Sequence, residues 1–133
     1  MEAVVRRSTA TILVMTTVER YQEVSTTLFD QAHAELDAGD LIQASEKFWG
    51  ATAQALKAIA QERGWNHGSH AHFYAIVRNL VDETGDHQLV ELFGGANLLH
   101  INFYEHWLEE IEIRTFAQQV QELLDRLAAI DEN

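Results

Sequence analysis

The sequence predicts an all-α fold, an antiparallel bundle of about five helices, and three observations carry that reading. Its 133 residues include no Pro and only seven Gly, so little in the chain breaks a helix. Apolar residues recur at spacings of three and four through five successive segments, with no strand-like alternation and no internal repeat. Short turns carrying Gly separate the segments and bring consecutive helices back antiparallel. The length fits about one domain. A 47% hydrophobic content, with three Trp and six Phe, supplies a core and excludes intrinsic disorder.

Helix one begins at Thr16-x-x-Glu19, a capping-box pattern, and places Tyr21, Val24, Leu28, Ala32 and Leu36 on one face. Gly39 stops it and Asp40 caps helix two, whose inward side is Leu41, Ala44, Phe48, Ala55 and Ile59 and which ends at Gly64. Ser69 is the expected N-cap of helix three, with Phe73, Ile76, Val77 and Leu80 buried. Gly85-Asp86 repeats the stop-and-cap device. Helix four is expected from about Asp86 to Trp107, with the stripe Leu89, Leu92, Phe93, Ala96, Leu99, Phe103 and Trp107. Gly94-Gly95 lies inside it, where each Gly costs roughly 1 kcal/mol against Ala. The pair predicts a kink or a close approach by another part of the chain, and with Leu98 it offers a docking stripe. Helix five spans roughly residues 112–130, with Ile113, Phe116, Val120, Leu123, Leu127 and Ile130 inward. Glu109, Glu110 and Glu112 suit its N-terminal dipole.

Residues 1–15 read as a loosely ordered N-terminal extension and residues 16–133 as the helical domain. Arg6-Arg7 before Ala10–Val14 imitates a signal peptide, but interspersed Thr and the lack of a clean small-residue cleavage site argue against one. The run is too short to span a bilayer. Met15 offers an alternative start, which would leave residues 1–14 outside the native chain. The expected location is the cytoplasm, with no membrane association.

Nine basic residues against twenty-one acidic give a net charge of −12. That balance repels a phosphate backbone and disfavours a general nucleic-acid coat protein, while leaving room for a small local site. The absence of Cys excludes disulfides, thiolate nucleophiles, iron–sulfur clusters and Cys-based zinc sites. The sequence carries no phosphate loop, dinucleotide fingerprint, nucleophile elbow, HExxH or paired Glu-x-x-His motif. No cofactor and no metal is expected.

His100 falls near the centre of the apolar stripe of helix four, with Asn97 one turn before it and Tyr104 one turn after. Such a polar trio must be hydrogen-bonded, because each unpaired buried group costs about 1–3 kcal/mol. The ordinary reading is a core histidine satisfied by its neighbours. The sharper one is an imidazole in a cleft, exchanging protons near neutral pH. Asn97, His100 and Tyr104 are therefore the candidate ligand-binding residues, and His100 is the candidate catalyst. His67, His70 and His72 suggest a metal, but at 100° per residue His70 and His72 point about 200° apart and cannot share one ion. They read as loop and first-turn histidines in solvent, as do the scattered His33, His87 and His106. Glu46 and Lys57 read as rim charges.

Two stretches resemble a known family. Gln43-Ala44-Ser45-Glu46-Lys47-Phe48-Trp49-Gly50-Ala51, continuing through Ala55-Leu56-Lys57-Ala58, resembles the second helix of HEPN (higher eukaryotes and prokaryotes nucleotide-binding) domains. Leu99-His100-Ile101-Asn102-Phe103-Tyr104-Glu105 looks like a later helix of their PaREP branch. The likeness runs from about Tyr21 to Ile130 and implies a HEPN-like bundle that forms a homodimer. Many HEPN proteins are metal-independent endoribonucleases, with an Arg four to six residues ahead of a His at the subunit boundary. The imidazole moves the proton of the 2′-hydroxyl and the guanidinium holds the phosphate. His100 matches the His, but Phe93, Gly94 and Gly95 stand where the Arg belongs. The resemblance therefore implies a dimeric binding or accessory module, nucleotide- or RNA-associated, without strong catalysis. Its rivals are a ribonuclease using His100 with Arg63 or Arg78 from another helix, and a protein–protein interaction bundle with an unknown cognate partner.

Overall fold

The structure, a computed structural model, describes residues 15–131. The expected extension, residues 1–15, lies outside the described residues except for Met15. Five helices follow in order: α1 Thr17–Asp37, α2 Leu41–Arg63, α3 His70–Thr84, α4 Gln88–Glu105 and α5 Glu110–Asp131. No strand occurs among the described residues, so the all-α bundle is as the sequence predicts.

Local chemistry sets the helix ends. The Thr16 hydroxyl accepts from the Glu19 N–H, Asp40 Oδ1 from Gln43 N–H and Ser69 Oγ from His72 N–H. Gly64 and Gly85 close α2 and α3 at φ of 72° and 76°, the left-handed conformation that side chains resist. Between α3 and α4, Asp86 accepts from Gln88 N–H, and both its oxygens accept from Arg126 Nη1 of α5 at 3.0 Å. That pair ties the turn to the last helix, and α4 starts at Gln88 rather than Asp86.

α2 is the central helix, packed against each of the other four, and α1 packs on α2. Phe48, Leu56, Ile59, Ile76, Leu80, Phe93, Leu99, Ile113 and Leu123 are fully buried. Burial of each such side chain contributes about 1.5–3 kcal/mol. On α1 the expected Val24 is exposed, and Ser25 beside it is buried, its hydroxyl donating to the Ala51 carbonyl at 2.7 Å.

The C-terminal end of α4 departs from expectation. The helix stops at Glu105, His106 takes a left-handed conformation, and Trp107 is half exposed. Asn102 is the buried residue of that last turn, with Phe103 only partly covered. Its Oδ1 accepts from the Trp107 and Leu108 N–H groups at 2.9 and 2.7 Å, and its Nδ2 donates to Ser45 Oγ at 3.1 Å. This side chain reverses the chain into α5, which begins at Glu110, earlier than the pattern indicated. Gly94-Gly95 does not interrupt α4. Gly95 is where α5 approaches: a Cβ there would collide with Gln119 Oε1 and press on Phe116. Gly94 faces open space, so the pair is not a single small-residue stripe.

Candidate functional site

Polar side chains gather where α2, α3 and α4 meet. Glu46 and Trp49 lie one turn apart on α2, His70 opens α3 with Tyr74 one turn on, and α4 supplies Asn97, His100 and Tyr104. The Trp49 indole is 6% exposed. His70 and His100 both stack on it, at centroid distances of 5.0 and 4.8 Å and interplanar angles of 21° and 27°. The imidazoles are 5.5 Å from each other and tilted by 21°. Rings on opposite faces of the indole would be much farther apart, so the two imidazoles lie side by side on one face.

Each ring is anchored through one nitrogen. His100 Nδ1 lies 3.3 and 3.2 Å from the two Glu46 oxygens. A carboxylate only accepts, so Nδ1 carries the proton, and Nε2 of the neutral ring is a bare acceptor. His70 Nε2 donates to Asn97 Oδ1 at 2.7 Å, and Asn97 Nδ2 donates to Tyr74 Oη at 3.1 Å. Tyr104 meets His100 edge-on at 5.5 Å and is itself 68% exposed. The Glu46 and His100 side chains retain 30% and 25% of their exposure, so the pair borders solvent. Burial pushes the Glu46 carboxyl above its ordinary range, and the His100 ring pulls it partly back.

Asn97, His100 and Tyr104 therefore share one surface, as expected, but at the wet edge of the α4 stripe rather than its centre. One assignment from the sequence is corrected and another extended. Glu46 is the carboxylate partner of His100 rather than a solvated rim charge, while His70, an exposed first-turn residue as expected, also stacks on Trp49 as a member of the cluster. Trp49 and Tyr74 complete the site. The i, i+3 pairing of Glu46 with Trp49 is a signal in the sequence, but nothing local reveals that α4 lies opposite. His33 packs edge-on against Phe29 and Phe48, at 4.7 and 5.1 Å.

The other histidines of the 67–72 group separate. His67 pairs with Gln61, and His72 Nδ1 accepts from Gly68 N–H. No group of three or more His, Asp or Glu among the described residues converges as a metal site. Nor do the described cations reach the rings. Arg63 binds both oxygens of Glu83, Arg114 pairs with Glu110, Arg126 with Asp86 and Glu122, and Lys47 with Glu35. Arg78 is exposed on α3. A groove of about 790 Å³ lies elsewhere, between α1, α2 and α5, with Phe29, Ile59 and Leu124 among its apolar lining and Glu19, Glu62 and Asp125 as its acids. It shares no residue with the ring cluster. No described helix is long and apolar enough to cross a membrane.

Together these features define an all-α protein with a carboxylate–imidazole pair and a ring cluster at a helical seam. The chain belongs to the archaeal PaREP1/PaREP8 family, whose model matches residues 20–124. It is also similar to the crystal structure of a protein from Sulfolobus solfataricus, at 23% identity and a TM-score of 0.65. That likeness covers 87% of this chain and 97% of the other, and it concerns the fold alone. No curated protein matches the chain.

Proposed function

We propose that the protein is a HEPN-like, homodimeric binding module of the cytoplasm that takes a nucleotide, free or within RNA, on the face bearing Asn97, His100 and Tyr104, without strong catalysis. The observation that supports this is a half-exposed cluster of flat rings with hydrogen-bonding edges and no guanidinium or ammonium in contact with it among the described residues. A nucleobase stacks on such rings, and its edge exchanges hydrogen bonds with amide and imidazole groups. Cleavage of a phosphodiester also needs charge stabilisation at phosphorus, which these residues do not provide through Arg or Lys. A thermal-shift screen with nucleosides and nucleotides tests the reading. A ligand at a hundred times its dissociation constant raises stability by about 2.7 kcal/mol. Absence of any shift, with wild type and His100→Leu alike, contradicts it.

One observation favours a second reading. Glu46 fixes the proton on His100 Nδ1 and leaves Nε2 as a general base, the arrangement metal-independent RNA cleavage requires. With an Arg contributed from elsewhere, that pair would make a ribonuclease. Cleavage of single-stranded RNA in EDTA by the wild type, lost in His100→Ala, would establish it over the binding module.

A further inference from the structure

We infer that His70 and His100 together form a proton-dependent seat for a phosphoryl group or another tetrahedral oxyanion. The inference goes beyond the ring-binding reading, because it concerns the charge of the ligand rather than its aromatic part.

Within the ring cluster, the two imidazoles are the groups able to become cationic. They lie side by side, 5.5 Å apart and tilted by 21°, on one face of the buried Trp49. Each has one nitrogen committed, His70 Nε2 to Asn97 and His100 Nδ1 to Glu46. His70 Nδ1 and His100 Nε2 make no hydrogen bond among the described residues. When both rings are protonated, those two atoms become N–H donors on neighbouring rings, able to be shared by the oxygens of one tetrahedral anion.

The surrounding groups set the direction of the pH dependence. From α2, Glu46 is the carboxylate in contact with an imidazole, that of His100. It sits at Nδ1, so the free Nε2 lies on a different edge of the ring. From α3 and α4, Tyr74 and Tyr104 contribute phenols, which are neutral near pH 7. Trp49 and Asn97 do not titrate. Two imidazolium rings against one carboxylate leave net positive charge. His70 is the first residue of α3, whose positive end opposes an imidazolium and favours an anion. Protons and anion therefore assist each other, and linkage requires the effect to be reciprocal.

The experiment titrates the full chain calorimetrically with sulfate at constant ionic strength, at about pH 6 and about pH 8, spanning the imidazole range. Sulfate keeps its charge across that interval, so only the protein titrates. The expected result is binding at least about ten-fold tighter at the lower pH. His70→Gln and His100→Gln each remove the pH dependence, while His87→Gln, altered at an exposed position, keeps it. In the wild type, imidazole ¹H–¹⁵N signals of His70 and His100 move together on sulfate addition, a readout needing no variant to fold. Equal binding at both pH values, no binding at about pH 6, or an unchanged pH dependence in His70→Gln overturns the inference. Uncharged adenosine, titrated in parallel, tests the ring-binding reading separately.

Discussion

Two polar pairs bridge α2 and α4, one residue apart on α2 and two apart on α4, Ser45 with Asn102 and Glu46 with His100, and they end in opposite states. Asn102 is 0% exposed and both its polar atoms are engaged: Nδ2 with Ser45, Oδ1 with two backbone N–H groups. The Ser45 hydroxyl in turn donates to the Leu41 carbonyl at 2.8 Å. The Glu46–His100 pair borders solvent, and one imidazole nitrogen is left over. A buried polar group with both polar atoms engaged inside the protein holds a fold together. One with a valence to spare, beside water and other rings, is equipped to meet a ligand.

The largest expected effect breaks the first pair. Asn102→Ala removes the acceptor for two N–H groups in the α4–α5 turn and is expected to cost about 2–5 kcal/mol, measured by urea denaturation. His100→Ala, in the second pair, is expected to cost no more than about 2 kcal/mol, while abolishing any nucleotide-induced thermal shift. Comparable losses for the two variants would erase the contrast.

A smaller test uses the adjacent glycines of α4. Gly94→Ala adds a methyl group into open space within a helix and is expected to stabilise by about 0.5–1 kcal/mol. Gly95→Ala gains less or loses, because Gln119 must swing aside and Phe116 must yield. Thermal melts of the two single variants decide this.

The smallest effect concerns Glu46. Burial raises its folded-state pKa, so folding favours the neutral form. That contribution is present below the ordinary carboxylate range and is lost as pH rises through the folded value. Glu46→Gln is therefore expected to gain on the wild type as pH rises through and above the ordinary carboxylate range, in denaturation series at each pH. A difference that runs the other way would mean the His100 contact outweighs desolvation.

The backbone punctuation was legible because it is local. Asp40, Gly64, Ser69 and Gly85 act within four residues of themselves, and each ends or starts a helix as the sequence predicts. The inward residues Phe73, Ile76, Val77 and Leu80 followed from periodicity for the same reason. The end of α4 did not, because the apolar period runs on through Phe103 and Trp107 while the helix is stopped by a left-handed His106 and the side chain of Asn102. At the site, His100, Asn97 and Tyr104 share one helix and were found together. Glu46 is 54 residues from His100, and His70 is 27 from Asn97. Their roles depend on which helices pack together, a matter of tertiary contact that no single-helix pattern encodes.

The most direct measurement is a long-range ¹H–¹⁵N correlation spectrum of the imidazole side chains at about pH 8, where neutral rings reveal their tautomers. The account predicts His100 protonated at Nδ1 with Nε2 bare, reverting toward the common solvent tautomer in Glu46→Gln. A wild-type His100 carrying its proton on Nε2 would contradict it, since Nδ1 would then offer the carboxylate no hydrogen and Nε2 would not be a bare acceptor.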